Sequence, residues 1–269
     1  MRHKTLRATI TCAFICFSFA CVQAAPVTAP VTECSVGKIC YCISPERKAD
    51  VLQRVALIRD LIAEQKRQGK LIGYLSTPLS STGGGYFSIN AQAASAEKLR
   101  IENRLGSDSA WIVNPGEKAY SLPSGATGAD YMYMWTLLLE GESGLGADFD
   151  FVNFVGPNAF ARFFSLTGEN DAGKIGAYYD EHAKSDPGLA KIERQEFIRY
   201  YALRAATTFS LGAHDEWNLM LAINQRRRES AKFGVARQIG IFFNDQAVAP
   251  ALYETGVTAG NAGACSSTK

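Results

Sequence analysis

The chain has 269 residues, of which 47% are hydrophobic, 11% aromatic and 20% charged. This composition excludes wholesale disorder, which requires few aromatic residues and a high net charge. The formal net charge of +2 excludes a protein that binds duplex nucleic acid through a strongly basic surface.

The first 24 residues have the organisation of a secretory signal peptide. A short basic segment, residues 1–7, precedes the apolar residues 8–21, and Val22 and Ala24 occupy the positions where signal peptidase requires small residues. An uncleaved membrane anchor is the alternative, but the apolar segment is shorter than the roughly 20 residues that a span needs. We therefore expect a secreted or periplasmic protein without a membrane span. The mature chain then carries 25 basic and 26 acidic residues.

Four cysteines remain after the signal peptide: Cys34, Cys40, Cys42 and, near the end of the chain, Cys265. An even number of cysteines in an oxidising compartment predicts two disulfides, and four cysteines allow three pairings. A zinc site is the alternative, but this segment has no Cys-x-x-Cys pair and no nearby histidine. We expect two disulfides, one of which joins the two ends of the chain, and no metal site.

Strands and helices alternate along residues 45–248, between a cysteine-rich segment (25–44) and a C-terminal tail (249–269). Short apolar runs bounded by turn residues predict strands over 71–75, 110–113, 150–155 and 238–243. Apolar residues at helical spacing predict helices over 50–68, 89–105, 129–140 and 214–227, with a helical insertion over 159–208. The alternation predicts one α/β domain with three layers, in which helices flank a mostly parallel sheet of four or five strands.

In such a sheet, ligands bind at the carboxyl ends of the strands, beside the point where strand order reverses. The loop after the first strand, residues 76–85, carries hydroxyl groups and glycine amides that can hold a phosphate at the start of the next helix. It matches neither a Walker loop nor the GxGxxG fingerprint, and a plain flexible loop is the alternative. The candidate ligand-binding residues at the ends of the first two strands are Ser76, Ser80, Ser81, Gly83, Gly84 and Asn114.

The segment from Ser210 to Trp217 opens the last long helix. Glu216 lies in the first turn, where the helix dipole stabilises a carboxylate, which suits a nucleophile or an electrostatic stabiliser. An ordinary helix-capping acid is the alternative. His214 and Trp217 flank this position and are candidates for ligand contact. Trp217 can stack on a base, although packing in the core is the default for such a residue.

The order of these motifs resembles that of the nucleoside 2-deoxyribosyltransferase-like superfamily, which includes deoxynucleotide N-hydrolases. The matching motifs are GYLSTP at residues 73–78, Asn114-Pro115, and GAHDE at residues 212–216. The resemblance covers about residues 70–158 and 208–245. It implies a glutamate nucleophile that attacks the anomeric carbon of a nucleoside, as in a retaining glycosidase.

The resemblance implies that Glu216 is the nucleophile and that Tyr74 orients its carboxylate. Asp150 or Asp130 would protonate the leaving base or hold sugar hydroxyls, and a proton donor in this position requires a raised pKa. The expected ligand is a nucleoside, a nucleotide or a dinucleotide such as NAD, and no cofactor is implied. Two other functions stay open. One is a non-catalytic nucleotide or small-ligand binder of this fold, and the other is an exported protein whose insertion, residues 159–208, docks a protein partner.

Overall fold

The computed structural model describes residues 29–79, 82–206, 209–230, 237–248 and Cys265. The predicted signal peptide, Ser80, Ser81 and nearly all of the predicted C-terminal tail lie outside these residues. Within them, no helix is both long enough and apolar enough to cross a membrane.

The cysteine-rich segment forms a two-stranded antiparallel hairpin, which was not predicted from the sequence. Strand β1 is Val31–Cys34 and strand β2 is Cys40–Ile43, and their register places Cys34 opposite Cys40. These two cysteines form one disulfide, and Cys42 forms the other with Cys265. The prediction of two disulfides, one of them joining the two ends of the chain, is confirmed.

The central sheet has five strands in the order β4-β3-β5-β6-β7. Their bounds are β3 Leu71–Ser76, β4 Ala110–Val113, β5 Phe151–Phe154, β6 Gly240–Phe243 and β7 Gln246–Ala247. The first four are parallel to one another, and β7 pairs antiparallel with β6. The predicted α/β class with a mostly parallel sheet is confirmed. Strand β7 was missed because a strand of two exposed residues leaves no apolar pattern.

Strand order reverses at β3, which comes first in the sheet along the chain. Strand β4 pairs on one side of it and β5 on the other. A reversal of this kind opens a crevice beyond the carboxyl ends of the strands. Ser76 and Phe154, which end β3 and β5, are direct neighbours in register, so they lie at the edge of this crevice.

Helices cover both faces of the sheet. One face is covered by α1 (Lys48–Arg67), α3 (Gly128–Glu140) and α7 (Leu211–Glu229). The other is covered by α2 (Phe87–Leu105), α4 (Pro157–Phe163), α5 (Asp171–His182), α6 (Arg194–Arg199) and the π-helical segment Tyr200–Arg204. Because side chains alternate along a strand, Ile72 and Tyr74 pack on the first face and Leu75 on the second.

The predicted insertion forms much of the second helical layer. Phe160, Ile175 and Phe197 are buried against the sheet on that face. Helix α6 also packs on the short turn Thr82–Gly84. Gly84 has a φ of +99°, and a Cβ there would collide with the carbonyl oxygen of Glu196. Only glycine permits this close approach, so the loop after β3 is held under the insertion.

The two disulfides are expected to differ in their effect on stability. The Cys42–Cys265 bond spans 223 residues and the Cys34–Cys40 bond spans six, and closing a longer loop removes more entropy from the unfolded chain. Replacing both cysteines of the long-range pair by serine should lower the free energy of unfolding by about 5 kcal/mol, against about 2 kcal/mol for the short-range pair. Urea denaturation of both double variants measures this, and equal losses would contradict it.

Candidate active site

Glu216 is buried in the second turn of α7, not in the first turn as predicted, and it lies where the helix packs on the carboxyl end of β3. Ser210, with extended backbone, caps this helix, and its Oγ accepts a hydrogen bond from the backbone N–H of Ala213 at 3.4 Å. The residue preference for such a cap explains why the helix starts here. Glu216 is only 5% exposed and is therefore a buried carboxyl group, not a solvated cap.

Two hydroxyl groups of β3 hold the two oxygens of the Glu216 carboxyl group. The Tyr74 hydroxyl donates to Oε1 at 2.5 Å, and the Ser76 hydroxyl donates to Oε2 at 2.6 Å. Tyr74 and Ser76 are two residues apart on one strand, so both side chains leave the sheet on the face that α7 covers. The strand therefore fixes both the position and the orientation of the carboxyl group. The predicted contact between Tyr74 and Glu216 is present.

Burial raises the pKa of both Glu216 and Tyr74. Burial raises the pKa of Glu216 to about 7; the hydrogen bonds from Ser76 and Tyr74 act in the opposite direction, and the charge of Asp215 adds to the rise. Burial, followed by the Glu216 charge, raises the pKa of Tyr74 well above its usual range. Tyr74 thus remains a hydrogen-bond donor, while Glu216 changes charge near neutral pH, where a catalytic carboxyl group is most effective.

Aromatic rings pack on Tyr74 and on Trp217, the residue that follows Glu216. Trp135 and Phe149 pack on the Tyr74 ring, with centroids 5.8 Å and 6.0 Å away. Trp217 is half-buried and packs edge-on against Phe154 at 4.7 Å. Its ring thus belongs to the wall of the core at the end of β5. His214 is exposed on the first turn of α7.

The structure does not bring the two predicted aspartates to Glu216. Asp130 completes a capping box at the start of α3, where it accepts hydrogen bonds from Thr127 and from the backbone N–H of Ser44. Burial favours its neutral form, but these hydrogen bonds outweigh burial and lower its pKa, which is unsuitable for a proton donor. Asp130 therefore has a structural role.

Asp150 lies at the amino ends of the parallel strands, whereas Ser76 lies at their carboxyl ends. It precedes β5, and its Oδ2 accepts a hydrogen bond from the backbone N–H of Ile72 at 2.8 Å. Ile72 is four residues before Ser76, which corresponds to about 13 Å along a strand. The apolar pattern located β5 correctly, and because Asp150 begins the predicted strand, it lies at the amino end of β5, away from the expected ligand site.

The remaining predicted ligand residues take different positions. Asn114 is fully buried, and its Oδ1 accepts a hydrogen bond from the backbone N–H of Gly116, so it shapes the turn after β4. Gly83 and Gly84 form the turn under α6, and Ser80 and Ser81 lie outside the described residues. Among the described residues of the hydroxyl-rich loop, Ser76 contacts Glu216.

Asp215 was missed as a functional candidate. Burial raises its pKa, and the neighbouring His214 opposes this rise. Among the carboxyl groups of the described residues, a raised pKa is resolved for Asp215 and Glu216, which are consecutive. Asp215 makes no ion pair or side-chain hydrogen bond within the described ranges. The sequence signal was ambiguous, because two acids at a helix start are also typical of capping.

Tyr41 of the hairpin was also missed, because the hairpin itself was not predicted. Its hydroxyl lies 2.8 Å from Thr136 Oγ1 of α3. Burial raises the pKa of Tyr41 to about 12, and the charges of Asp215 and Glu216 contribute to the rise. The disulfide-bonded hairpin is therefore close enough to the site for the charges of Asp215 and Glu216 to raise the pKa of Tyr41.

In the described part of the chain, no group of three or more His, Cys, Asp and Glu side chains is arranged to hold a metal ion. No protein-family model, curated protein or solved structure matches this chain. The resemblance to the deoxyribosyltransferase-like superfamily therefore stays a prediction, and functional inference depends on the geometry around Glu216.

The raised pKa of Glu216 predicts how stability depends on pH. The ordinary pKa of 4.5 applies to the unfolded chain, while the folded value is about 7. Between these values the unfolded state has lost the proton that the folded state retains, so stability falls as pH rises through this window. The full loss, about 3 kcal/mol, should be reached above pH 7.

The Glu216→Gln variant lacks this titration and has nearly the same shape. Its free energy of unfolding relative to the unaltered protein should therefore increase from about pH 5 to about pH 8, by about 3 kcal/mol. Urea denaturation of both proteins across this range provides the measurement. A difference that is independent of pH would show that Glu216 titrates normally.

Proposed function

We propose that this chain is an exported N-glycosidic hydrolase or transferase that acts on a nucleoside, nucleotide or dinucleotide with Glu216 as its nucleophile. The observation that carries the proposal is the carboxyl group held by Tyr74 and Ser76 at the carboxyl end of β3. A capping acid would instead accept hydrogen bonds from the start of its own helix, and Ser210 already occupies that position.

The reaction proceeds by two displacements at the anomeric carbon of the sugar. In the first, a carboxylate oxygen of Glu216 forms a bond to this carbon while the bond to the base nitrogen breaks and the base takes up a proton. In the second, water or another base displaces the ester and regenerates the carboxylate. Tyr74 and Ser76 fix the attack direction of Glu216 and, by donating hydrogen bonds, stabilise its charge when it leaves.

Asp215 is the proton donor in this proposal. Departure of the base requires an acid that is still protonated near the working pH. Asp130 has a lowered pKa, whereas burial shifts the pKa of Asp215 in the direction that a proton donor needs. His214 precedes Asp215 in α7 and is exposed.

Export rests on the sequence of residues 1–24 and is supported by the two disulfides, which persist in oxidising compartments. A non-catalytic ligand binder is the second candidate function. It is favoured by one observation, which is that Asp130 and Asp150 are both committed to backbone N–H groups away from Glu216.

Glu216→Gln is expected to remain folded and to lower the rate of base release by about a thousandfold or more, because an amide cannot form the glycosyl ester. The measurement is free base released from a panel of nucleosides, nucleotides and NAD. Glu140→Gln is the matched control. Glu140 is a second buried glutamate on the same face, 1% exposed, and it accepts hydrogen bonds from Gly37 and Arg226.

Glu140→Gln should lower the free energy of unfolding, because it weakens the hydrogen bonds that connect the hairpin to α7. Its turnover should be unchanged at temperatures where the protein is folded. Unchanged turnover in folded Glu216→Gln would remove Glu216 from catalysis. It would leave the ligand-binding candidate as the better function.

Asp215→Asn tests the proton donor through the leaving group. The variant should hydrolyse nucleosides whose bases are poor leaving groups about a hundredfold or more slowly. A general acid contributes a factor of about 10²–10⁴ to the rate of such a reaction. Hydrolysis of a p-nitrophenyl glycoside of the same sugar should be nearly unchanged, because p-nitrophenolate leaves without a proton. An equal loss with both substrates would assign Asp215 a structural role.

A further inference from the structure

Asn153 is a buried amide without a described partner in the middle of the sheet. It is 5% exposed and occupies the next-to-last position of β5. Its side chain makes no hydrogen bond with any residue of the described ranges. An asparagine amide can donate and accept hydrogen bonds at the same time, so it is free to pair with a ligand. An unpaired polar group of this kind points to a hydrogen-bonding ligand.

Two other buried asparagines in the described ranges, Asn114 and Asn224, are paired, whereas the Oδ1 of Asn218 in α7 is buried without a partner. Asn224 of α7 donates its Nδ2 to the carbonyl oxygen of Ile239 at 2.9 Å and accepts from the same residue's N–H at 2.8 Å. Asn114 pairs with Gly116 and Ser95. Asn153 differs from these in its location, because it lies at the reversal of strand order, where this fold type binds its ligands.

Asn153 and the Glu216 site lie on opposite faces of the sheet, both near the carboxyl ends of β3 and β5. Asn153 pairs in register with Leu75, the neighbour of Ser76, so the backbones at Asn153 and Ser76 are about 6 Å apart. Leu75 and Asn153 face the layer that contains the insertion, while Ser76 faces α7. A ligand in the crevice beyond the strand ends can reach both sides, since a nucleoside is longer than this separation.

Thr77 supplies a second unpaired polar group nearby. It follows Ser76, it is 7% exposed, and its hydroxyl is buried without a hydrogen-bond partner. Continued alternation along the strand assigns it to the Leu75 side, together with Asn153. Asn153 of β5 and Thr77, the residue after β3, thus both lie near the carboxyl ends of the strands.

We propose that Asn153, with Thr77, forms the subsite that recognises the hydrogen-bonding edge of the nucleobase, while the sugar is bound on the Glu216 side. This inference rests on the function proposed above. The bond that breaks joins sugar and base, so these two parts must lie on either side of the Glu216 carboxyl group. An asparagine amide presents one donor and one acceptor side by side, which complements a base edge with an adjacent acceptor and donor.

The test uses nucleoside binding in a Glu216→Gln background, where ligand is not consumed. Calorimetric titration with adenosine, inosine, guanosine, cytidine and thymidine identifies the bases that bind. Adding Asn153→Leu removes both hydrogen bonds at similar volume. We expect affinity to fall about tenfold or more, the value of a good bidentate pair. The melting temperature should change little, because no hydrogen bond to the rest of the described chain is lost.

Two further variants separate recognition from structure. Asn224→Leu in the same background should lower the melting temperature, because two backbone hydrogen bonds are lost, and should leave affinity unchanged where the protein is folded. Asn153→Asp replaces the donor by a second acceptor. It should shift preference towards guanosine, whose base presents two adjacent N–H donors, and a purely structural residue would not produce this shift.

The outcomes distinguish this inference from the proposed catalysis. Equal affinity in the Asn153→Leu variant, or no nucleoside binding to the Glu216→Gln protein, overturns the base subsite. Binding that depends on Asn153 in a protein that releases no base supports the subsite and contradicts the enzymatic role of Glu216.

Discussion

The burial of one carboxyl group against two strand hydroxyls is the constraint around which this site is organised. Placing Glu216 under β3 costs stability whenever the group is ionised, and the cost is offset only in part by the hydrogen bonds from Tyr74 and Ser76. A fold gains nothing structurally from such a group, because an apolar side chain would pack there at lower cost. Natural proteins tolerate this kind of penalty at functional sites.

The neighbouring elements keep this arrangement rigid. Helix α3 packs between α1 and α7, and its Glu140 joins Gly37 of the hairpin to Arg226 of α7. The hairpin is held in turn by the Cys42–Cys265 disulfide and by Tyr41 on Thr136. The helix that carries Glu216 is thus connected to the disulfide-bonded end of the chain. A carboxyl group fixed this way needs little reorganisation during the reaction.

The sequence predicted the sheet and the site only as far as local patterns allow. Apolar runs located the four parallel strands, and the small residues before Glu216 located the start of α7. Because side chains alternate along a strand, Tyr74 and Ser76 share one face of β3, where a single helix can contact both. Asp130 was assigned to the site wrongly because capping geometry pairs it with Thr127. Asp150 was assigned there wrongly because the first residue of a parallel strand lies at the amino end, where it pairs with Ile72. Asn153 was missed since an apolar run does not reveal an unpaired amide.

The most direct test of the central claim is a search for the covalent intermediate. A nucleoside with fluorine at the 2′ carbon slows breakdown of a glycosyl ester, so that the ester accumulates in a retaining mechanism. After incubation with such a compound, intact-mass analysis should show addition of one fluorinated sugar to the protein. Peptide mapping should place it on Glu216, and the Glu216→Gln variant should remain unlabelled. Base release without any adduct, or an adduct on another residue, would contradict the assignment of Glu216 as the nucleophile.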